Sequence, residues 1–474
     1  MSGPPEPTRK QGGNLKSLGL IQVFRLASGF AINILLMRGL GVEGFGVYGF
    51  VLILVGLASF GTSLGMDRFI KREIARKPEL TGRYVSTAIA ATLLLSAITF
   101  VLIVGWVWVS DGRPYVALAA GLAAVAQSLR TLTLTPVAAF HGVRRMNLGV
   151  LGEGVGRTVL VAATGVFIFL GLGVVAVFVA QVMDTAVTLA IIWWTYRKHI
   201  NTERLSTSWA EMVKLLRESL PFGLNNLFVS IYLSVDVLLI GELRGDHEVG
   251  LYRGAVMLLS LFPIVADLIS TGLYPKMARH LGDKEAAGQE LHQATRVLLA
   301  VSVPAAVGGM LVAYPLLVFI GGEAYGASAV LFAVMVPLLP MRYLDNCYGM
   351  VLQTLNRPGD QTRGSLLATV VNVTACALLI PKYGALAAAG TTVLTEVVLL
   401  AFLSWRVAPL VVRPSLLGTL VRVGVPVTGM AAVIHFMPEI HVLLTIAVGG
   451  AVYAGIGLAT GAWHPRDIRY LKKV

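Results

Sequence analysis

Long apolar segments, separated by short polar connections, run along almost the whole chain. They lie near residues 17–37, 47–66, 85–109, 115–139, 151–170, 174–195, 219–241, 251–275, 297–320, 328–352, 366–380, 385–405, 419–437 and 441–462. A helix of about 20 apolar residues spans the hydrocarbon core of a bilayer. The pattern therefore predicts an all-α polytopic membrane protein with about 14 transmembrane helices.

Two sequence repeats divide this pattern into halves. Ile34–Val51 resembles the later segment Val237–Val256, and Gly173–Trp194 resembles Gly384–Trp405. An even number of spans in each repeat gives two pseudo-symmetric lobes related by an axis along the membrane normal. We predict a tail at 1–16, a six-helix lobe at 17–195, a linker with an amphipathic helix at the membrane surface at 196–218, a second six-helix lobe at 219–405, and two additional helices with a tail at 406–474.

Composition and charge agree with a membrane protein. Hydrophobic residues make up 56% of the chain and charged residues only 13%, against about 25% in soluble proteins. The net charge of +13 invites a nucleic-acid interpretation, but 29 of the 38 Lys and Arg residues lie in connections on one side of the predicted membrane. Because cytoplasmic loops collect Lys and Arg, we predict a multi-pass protein of the cytoplasmic membrane with both termini cytoplasmic, and no nucleic-acid partner.

Motifs of enzyme chemistry do not fit this setting. Gly39, Gly41 and Gly44 match the G-x-G-x-x-G pattern, but a dinucleotide site needs a strand before it and a soluble βαβ unit around it. The eight histidines show no metal-ligand spacing, and the sequence shows no pattern of a catalytic nucleophile with its base. The sequence therefore predicts a non-enzyme without a metal or cofactor, with coupling to Na+ or H+ left open.

Ionisable residues inside the spans are the best indication of function, because burying charge in lipid is costly. In the first half of the chain these residues are Arg25, Arg130, Arg157 and Asp184. In the second half they are Asp236, Asp267, Arg342, Asp345 and Glu396. The halves therefore carry opposite charge, which favours an anion-binding first half. One carboxylate among Asp236, Asp267, Asp345 and Glu396 is a candidate for coupling an ion gradient.

Structural alternatives exist for several of these charges. Arg342 and Asp345 are three residues apart on one helix and could neutralise each other. Arg157 lies near the cytoplasmic end of its span and could snorkel to the membrane surface. Asp236 could simply cap the outer end of its helix.

Two polar stripes accompany the charges. Gln127, Thr131 and Thr135 repeat every four residues beside Arg130, and Asn226, Ser230 and Ser234 do the same beside Asn225. Residues four apart lie on one face of a helix. We expect both stripes to face a shared, water-filled cavity between the halves.

Several segments resemble the polysaccharide flippase family of the multidrug/oligosaccharidyl-lipid/polysaccharide exporter superfamily. They are Gly39–Tyr48, Ser234–Gly241, Gly250–Ala255, Tyr274–Pro275, Asn372–Gly384 and Glu396. The resemblance covers essentially the whole chain. It implies a MATE-like fold, with two six-helix lobes around a central cavity and two further helices. It also implies translocation of a polyprenyl-diphosphate-linked oligosaccharide across the membrane during surface polysaccharide biosynthesis.

On this basis we expect alternating access, with substrate groups held by named side chains. Arg25, Arg130 and Arg157 would bind the diphosphate, since Arg grips phosphate oxygens through its forked donors. Gln127, Asn225 and Asn226 would contact the glycan. Expected partners are the lipid-linked oligosaccharide, membrane lipids, and a glycan polymerase or glycosyltransferases. The alternatives are a lipid II-type flippase, a cation-coupled multidrug antiporter and a non-transporting membrane scaffold.

Overall fold

The computed structural model describes residues 9–142, 145–200, 207–260, 262, 266, 269, 277–280, 283–412, 415–438 and 441–462. The regular elements of this part are helices. The first are α1 (Arg9–Ser63), α2 (Met66–Arg76), α3 (Thr81–Ser110), α4 (Pro114–Gly142), α5 (Val150–Phe169), α6 (Gly173–His199) and α7 (Trp209–Arg244). The others are α8 (Asp246–Leu259), α9 (Lys284–Leu311), α10 (Ala313–Gly321), α11 (Ser328–Met335), α12 (Leu338–Thr354), α13 (Pro358–Val407), α14 (Leu416–Phe436) and α15 (Val442–Ala459).

Two of these helices are divided by a glycine. A straight helix of 55 residues, the length of α1, would be about 80 Å long at 1.5 Å per residue, far more than a bilayer core of about 30 Å. Gly41 breaks α1 with a φ of 68°, and Gly384 breaks α13 with a φ of 58°. Glycine adopts this left-handed conformation at little cost. The rejected dinucleotide motif therefore lies at a break between two helical segments.

Within the described residues, ten helices are long and apolar enough to cross a membrane. Two of them are the divided helices, each of which contains two of the predicted spans. The predicted span at 251–275 falls partly on residues outside the described set, and several side chains of the span at 219–241 are outside it. The prediction of an all-α, multi-pass membrane protein is confirmed, and the count of 14 spans stays a prediction.

The chain forms two compact units, 1–238 and 239–474. In the first unit, α4 packs against α3 and α6, and α5 packs against α6 and α1. Its core includes Ile70 from α2, Phe140 from α4 and Tyr196 from α6. The predicted lobe bounds are not tested by this division, which falls inside α7.

In the second unit, α13 packs against α12 and α11, and α9 packs against α12 and α14. The two additional helices α14 and α15 pack against each other. Tyr453 of α15 donates a hydrogen bond of 2.6 Å to the carbonyl of Ala300 in α9. The additional helices are thus fixed to the second unit by both apolar packing and a buried hydrogen bond.

The predicted amphipathic helix of the linker is continuous with a longer helix in the structure. Residues 201–206 lie outside the described set, and the segment from Trp209 onward is the start of the long helix α7. Met212 and Leu215 are buried in the core of the first unit, whereas Trp209 is exposed. The sequence pattern placed Trp209 and Met212 on one face, but packing against α2 and α6 decides which side is buried.

Candidate functional site

A cavity of about 210 Å³ lies inside the first unit, between α1, α4, α5 and α6. Its walls carry five ionisable side chains, three of them the arginines that the sequence singled out. The lining residues are Phe24, Arg25, Arg130, Thr133, Leu134, Val137, Glu153, Arg157, Asp184, Thr185 and Thr188. We call this space the arginine cavity.

Helical spacing explains what α4 contributes to the cavity. Arg130, Thr133, Leu134 and Val137 are separated by three or four residues, so they form one face of the helix. Thr131 lies on another face, where it is buried and its hydroxyl is 3.1 Å from the hydroxyl of Thr62. The polar stripe predicted on α4 therefore does not lie on the face that lines the arginine cavity.

Arg157 is directed towards α1. Its Nε donates a hydrogen bond of 3.0 Å to Ser28 Oγ. A methyl group added at Gly29 would lie 3.1 Å from the Arg157 guanidinium, so the absence of a side chain at Gly29 leaves room for the arginine. The side chain is half-buried in the unit, and α1 offers it a hydrogen-bond partner.

Arg130 faces the buried carboxylate of Asp184 across the cavity. Its Nη2 is 3.7 Å from Asp184 Oδ2, and 54% of the Arg130 side chain is exposed, against 8% for Asp184. The Thr188 hydroxyl donates a 3.3 Å hydrogen bond to Asp184 Oδ1. Asp184 is thus a fixed anchor, and Arg130 is a loosely held cation whose donors are largely free to turn to another anion.

Arg25 is paired with Glu153, a residue that the sequence reasoning missed. The two side chains form a salt bridge, with 52% of Arg25 and 35% of Glu153 exposed. Glu153 lies one turn into α5, where an acid reads as an ordinary first-turn residue of a helix. Its position opposite Arg25 depends on the packing of α5 against α1, which the sequence pattern does not reveal.

The predicted glycan contacts lie apart from the arginine cavity or outside the described side chains. Gln127 is half-buried on α4 and does not line the cavity. The side chains of Asn225 and Asn226 lie outside the described set. The assignment of these three residues to the glycan stays a prediction.

The acids predicted to couple an ion gradient fall in both units, with Asp236 in the first and the others in the second. Arg342 Nε lies 3.6 Å from Glu396 Oε2 on another helix. The spacing along one helix had suggested only Asp345 as the partner of Arg342. Asp236 accepts a 2.8 Å hydrogen bond from the backbone N–H of Val237. Asp267 lies outside the described residues.

Metal chemistry has no support in the part of the chain that is described. It contains no group of three or more His, Cys, Asp or Glu side chains that could hold a metal ion. Cys347 and Cys376 are both buried. What the arginine cavity can do chemically is bind an anion by charge and hydrogen bonding.

Family models decide which known proteins this chain resembles. The model described as polysaccharide biosynthesis protein matches residues 13–281, more than half of the chain. The chain belongs to this family. The model named MatE matches residues 221–378. The resemblance to the polysaccharide flippases, expected from the hairpin motifs, is thereby confirmed.

Relatives extend the match over most of the chain. The probable flippase AglR of Haloferax volcanii is 23% identical over 449 residues, which cover 91% of this chain and 92% of that protein. A putative O-antigen transporter of Shigella flexneri is 21% identical and covers 75% of this chain and 87% of its own length. These relatives are named as flippases and transporters, in agreement with the prediction that the chain is not an enzyme.

Solved structures share the fold. The lipid II flippase MurJ in an inward closed conformation superimposes with a TM-score of 0.78 at 13% identity, covering 95% of this chain and 99% of that chain. An inward-facing multidrug resistance MATE family transporter gives a TM-score of 0.64 at 16% identity, covering 84% and 98%. The chain is therefore a multi-pass membrane protein with the fold of these transporters.

Proposed function

We propose that this protein flips a polyprenyl-diphosphate-linked oligosaccharide across the cytoplasmic membrane by alternating access, and that Arg25, Arg130 and Arg157 bind the diphosphate. The observation that carries the proposal is the arginine cavity, where these three side chains lie around one space in the first unit. The names of the relatives, two flippases, one of them of low-salt glycan biosynthesis, and an O-antigen transporter, supply the substrate class.

The charge of the cavity suits an anionic ligand. Three arginines face two acids, Glu153 and Asp184, so one positive charge is left over when all five groups are ionised. Both phosphates of a diphosphate carry negative charge. A Lys or Arg hydrogen bond to phosphate is about twice as strong as a neutral one.

The ion pairs of the cavity can be exchanged for a ligand. Arg25 and Arg130 are each about half exposed, and exposed ion pairs typically contribute only ~0–1 kcal/mol. A diphosphate can therefore take over their donors at small cost, while Arg157 stays positioned by Ser28. At about 210 Å³ the space is below the ~300–1,000 Å³ of sites for drug-sized ligands, which fits a headgroup and leaves the sugars outside it.

Binding of farnesyl diphosphate to the purified protein tests the diphosphate assignment. We expect R25A and R130A each to weaken binding by roughly tenfold or more, because a hydrogen bond to a charged group is worth ~1.5–3 kcal/mol. R130K should recover only part of the affinity, since an ammonium lacks the planar fork. Arg113→Ala is the matched control, because Arg113 pairs with Asp111 in a connection outside the cavity. Farnesyl monophosphate and farnesol are the comparison ligands. They carry the same farnesyl chain without the diphosphate, so they separate recognition of the diphosphate from apolar binding of the farnesyl chain.

Export of glycan in a host that lacks its own flippase tests the transport assignment. R25A and R130A should lose export while remaining inserted at wild-type level on a membrane blot. If Arg130 only neutralises Asp184, then the R130A and D184N double variant would recover both stability and export. Full export by the R25A and R130A double variant would refute the role of the cavity.

A lipid II-type peptidoglycan precursor is the alternative substrate, supported by the overall fold shared with MurJ. Its diphosphate would use the same arginines, so binding to the cavity does not separate the two substrates. Complementation does, because rescue of a host that lacks its lipid II flippase requires peptidoglycan precursor transport. A multidrug antiporter would instead export organic cations, and a scaffold would tolerate loss of all three arginines.

The proposed location and partners complete this function. Cytoplasmic loops of membrane proteins collect Lys and Arg, so we place both termini, which lie on the side richer in these residues, in the cytoplasm. A glycan polymerase or glycosyltransferases would supply or consume the lipid-linked substrate. Copurification of such enzymes with the tagged protein would test the second point.

A further inference from the structure

A second cavity lies in the first unit and shares no lining residue with the arginine cavity. Its volume is about 440 Å³, and its walls come from α2, the connection after α2, α3 and the first part of α7. This volume is within the ~300–1,000 Å³ of sites for small ligands. We call it the lysine cavity, and its charged lining residues are Glu73, Lys77, Arg83, Glu211, Lys214 and Glu218.

Ion pairs within the protein already engage half of these charges. Arg83 Nε donates a hydrogen bond of 2.8 Å to Glu211 Oε1, which joins α3 to α7. Glu73 is held from its own helix, because Arg72 Nε lies 2.9 Å and Arg76 Nη1 lies 3.6 Å from its Oε1. Arg83, Glu211 and Glu73 therefore have their partners within the protein.

The remaining charges of the lysine cavity are directed to solvent. Lys77, Lys214 and Glu218 are exposed, and within the described part of the chain none of the three forms a salt bridge. Two cations and one acid leave one positive charge, so a ligand with one negative charge balances the cavity. Lysine binds phosphate as a point charge. An ionised Glu218 can only accept hydrogen bonds, so the ligand also needs a donor group.

The lysine cavity lies at the depth of lipid headgroups. The apolar segments of α3 and α7 begin near residues 85 and 219, and Arg83 and Glu218 lie just before them. Lys214 precedes the apolar segment of α7 by about 8 Å at 1.5 Å per residue. The headgroup layer on each side of a bilayer is about 5–8 Å deep. The charged wall of the cavity therefore meets the layer that contains lipid phosphates.

An apolar wall completes the lysine cavity. Phe69 and Leu215 are buried in the core of the first unit, and Leu80 and Tyr84 are half-buried. The rings of Phe69 and Tyr84 meet edge to face with their centroids 6.4 Å apart. This wall suits the glycerol backbone of a lipid, whereas a soluble phosphate ester would leave it uncovered.

We propose that the lysine cavity binds the headgroup of an anionic phospholipid that carries hydroxyl groups, with phosphatidylglycerol as the simplest example. Lys77 and Lys214 bind the phosphate, Glu218 accepts hydrogen bonds from the hydroxyls, and Leu80 and Tyr84 cover the glycerol backbone. The bound headgroup bridges the connection after α2 and the first part of α7, so it fixes α7 against α2 and α3. The site is separate from the proposed glycan substrate and does not depend on it.

Native mass spectrometry of the delipidated full-length protein, with dioleoyl lipids added at equal concentration, tests the proposal. Phosphatidylglycerol should bind more tightly than phosphatidylcholine, which has no net charge and no hydrogen-bond donor. K77Q combined with K214Q should weaken phosphatidylglycerol binding by roughly tenfold or more, because hydrogen bonds to charged groups contribute more than neutral ones. K71Q combined with K198Q is the matched control. Both of these lysines are exposed and lie outside the cavity, so this variant should bind like the wild type.

The role of Glu218 is tested with a second anionic lipid. Phosphatidylmethanol has the charge of phosphatidylglycerol but no hydroxyl group in its headgroup. The wild-type protein should prefer phosphatidylglycerol, and E218A should bind the two lipids equally. R25A and R130A should bind phosphatidylglycerol like the wild type, because both arginines line the other cavity.

Several outcomes would overturn the proposal. Equal losses in the two lysine double variants would mean that the lipid binds through surface charge alone. Tighter binding of phosphatidylethanolamine than of phosphatidylglycerol would identify a site for a zwitterionic headgroup. Displacement of the lipid by soluble glycerol 3-phosphate at the same concentration would identify a site for a free phosphate ester. The comparison of lipids on the wild-type protein decides these last two points without any variant.

Discussion

At the scale of single residues, the arginine cavity depends on how Asp184 is held. Thr188 donates to this carboxylate from the next turn of α6, and Arg130 faces it from α4. Gly156 on α5 completes the surroundings. A methyl group built there would lie 1.9 Å from the Thr188 hydroxyl and 2.5 Å from Asp184 Oδ1. The close approach of α5 to α6 at this point therefore requires glycine.

Gly156→Ala should destabilise the protein and disturb the cavity. Overpacking of a tightly packed interior typically costs ~1–3 kcal/mol, and the shift would move Asp184 away from Arg130. We expect a lower melting temperature in detergent and weaker binding of farnesyl diphosphate. Gly165→Ala on the same helix is the matched control, because nothing lies within 4 Å of a methyl group there. Equal behaviour of the two variants would contradict the packing argument.

At the scale of secondary structure, the break in α13 is held by a side chain from α8. Glu248 Oε2 accepts a 2.7 Å hydrogen bond from the backbone N–H of Ala385. Arg244 donates to the same carboxylate at 2.9 Å. An acid at the first N–H groups of a helix satisfies free donors and interacts favourably with the helix dipole. Glu248 therefore sets where the second segment of α13 begins.

Glu248→Ala should lower stability by about 1 kcal/mol, the typical loss of a capping side chain. E248Q keeps an acceptor oxygen and should lose less. Gly384→Ala should be worse than Gly390→Ala, because Gly384 has a φ of +58° and a methyl group there would lie 2.0 Å from Glu248 Oε2, whereas Gly390 is open. Melting curves of the four variants measure this order, and a wild-type curve for E248A would rule out the capping role.

At the scale of the whole molecule, the distribution of Lys and Arg predicts an orientation in the membrane. Single cysteines at Glu43 and Glu323 should react with an impermeant thiol reagent added to intact cells, and a cysteine at Lys71 should react only after lysis. All three positions are exposed. The native Cys347 and Cys376 are buried and should contribute little background. Labelling in the reverse order would overturn the placement of both termini in the cytoplasm.

The sequence by itself determined the class of protein and where its charges lie. Apolar segments of spanning length follow from the cost of placing polar groups in lipid, and the same cost marks the few charges inside those segments as functional candidates. Because that cost acts on each segment separately, the spans and the charges inside them can be identified directly from the sequence. Arg25, Arg130 and Arg157 were identified as cavity residues in this way, and the structure brings them around one space.

Only the tertiary structure decided which charged groups meet. Spacing along α5 places Arg157 four residues after Glu153, yet Arg157 donates to Ser28 and Glu153 pairs with Arg25, 128 residues away. Arg342 likewise reaches Glu396 on another helix. Helical periodicity fixes the neighbours on one helix. Partners on different helices depend on how those helices pack, which no periodicity in the chain encodes.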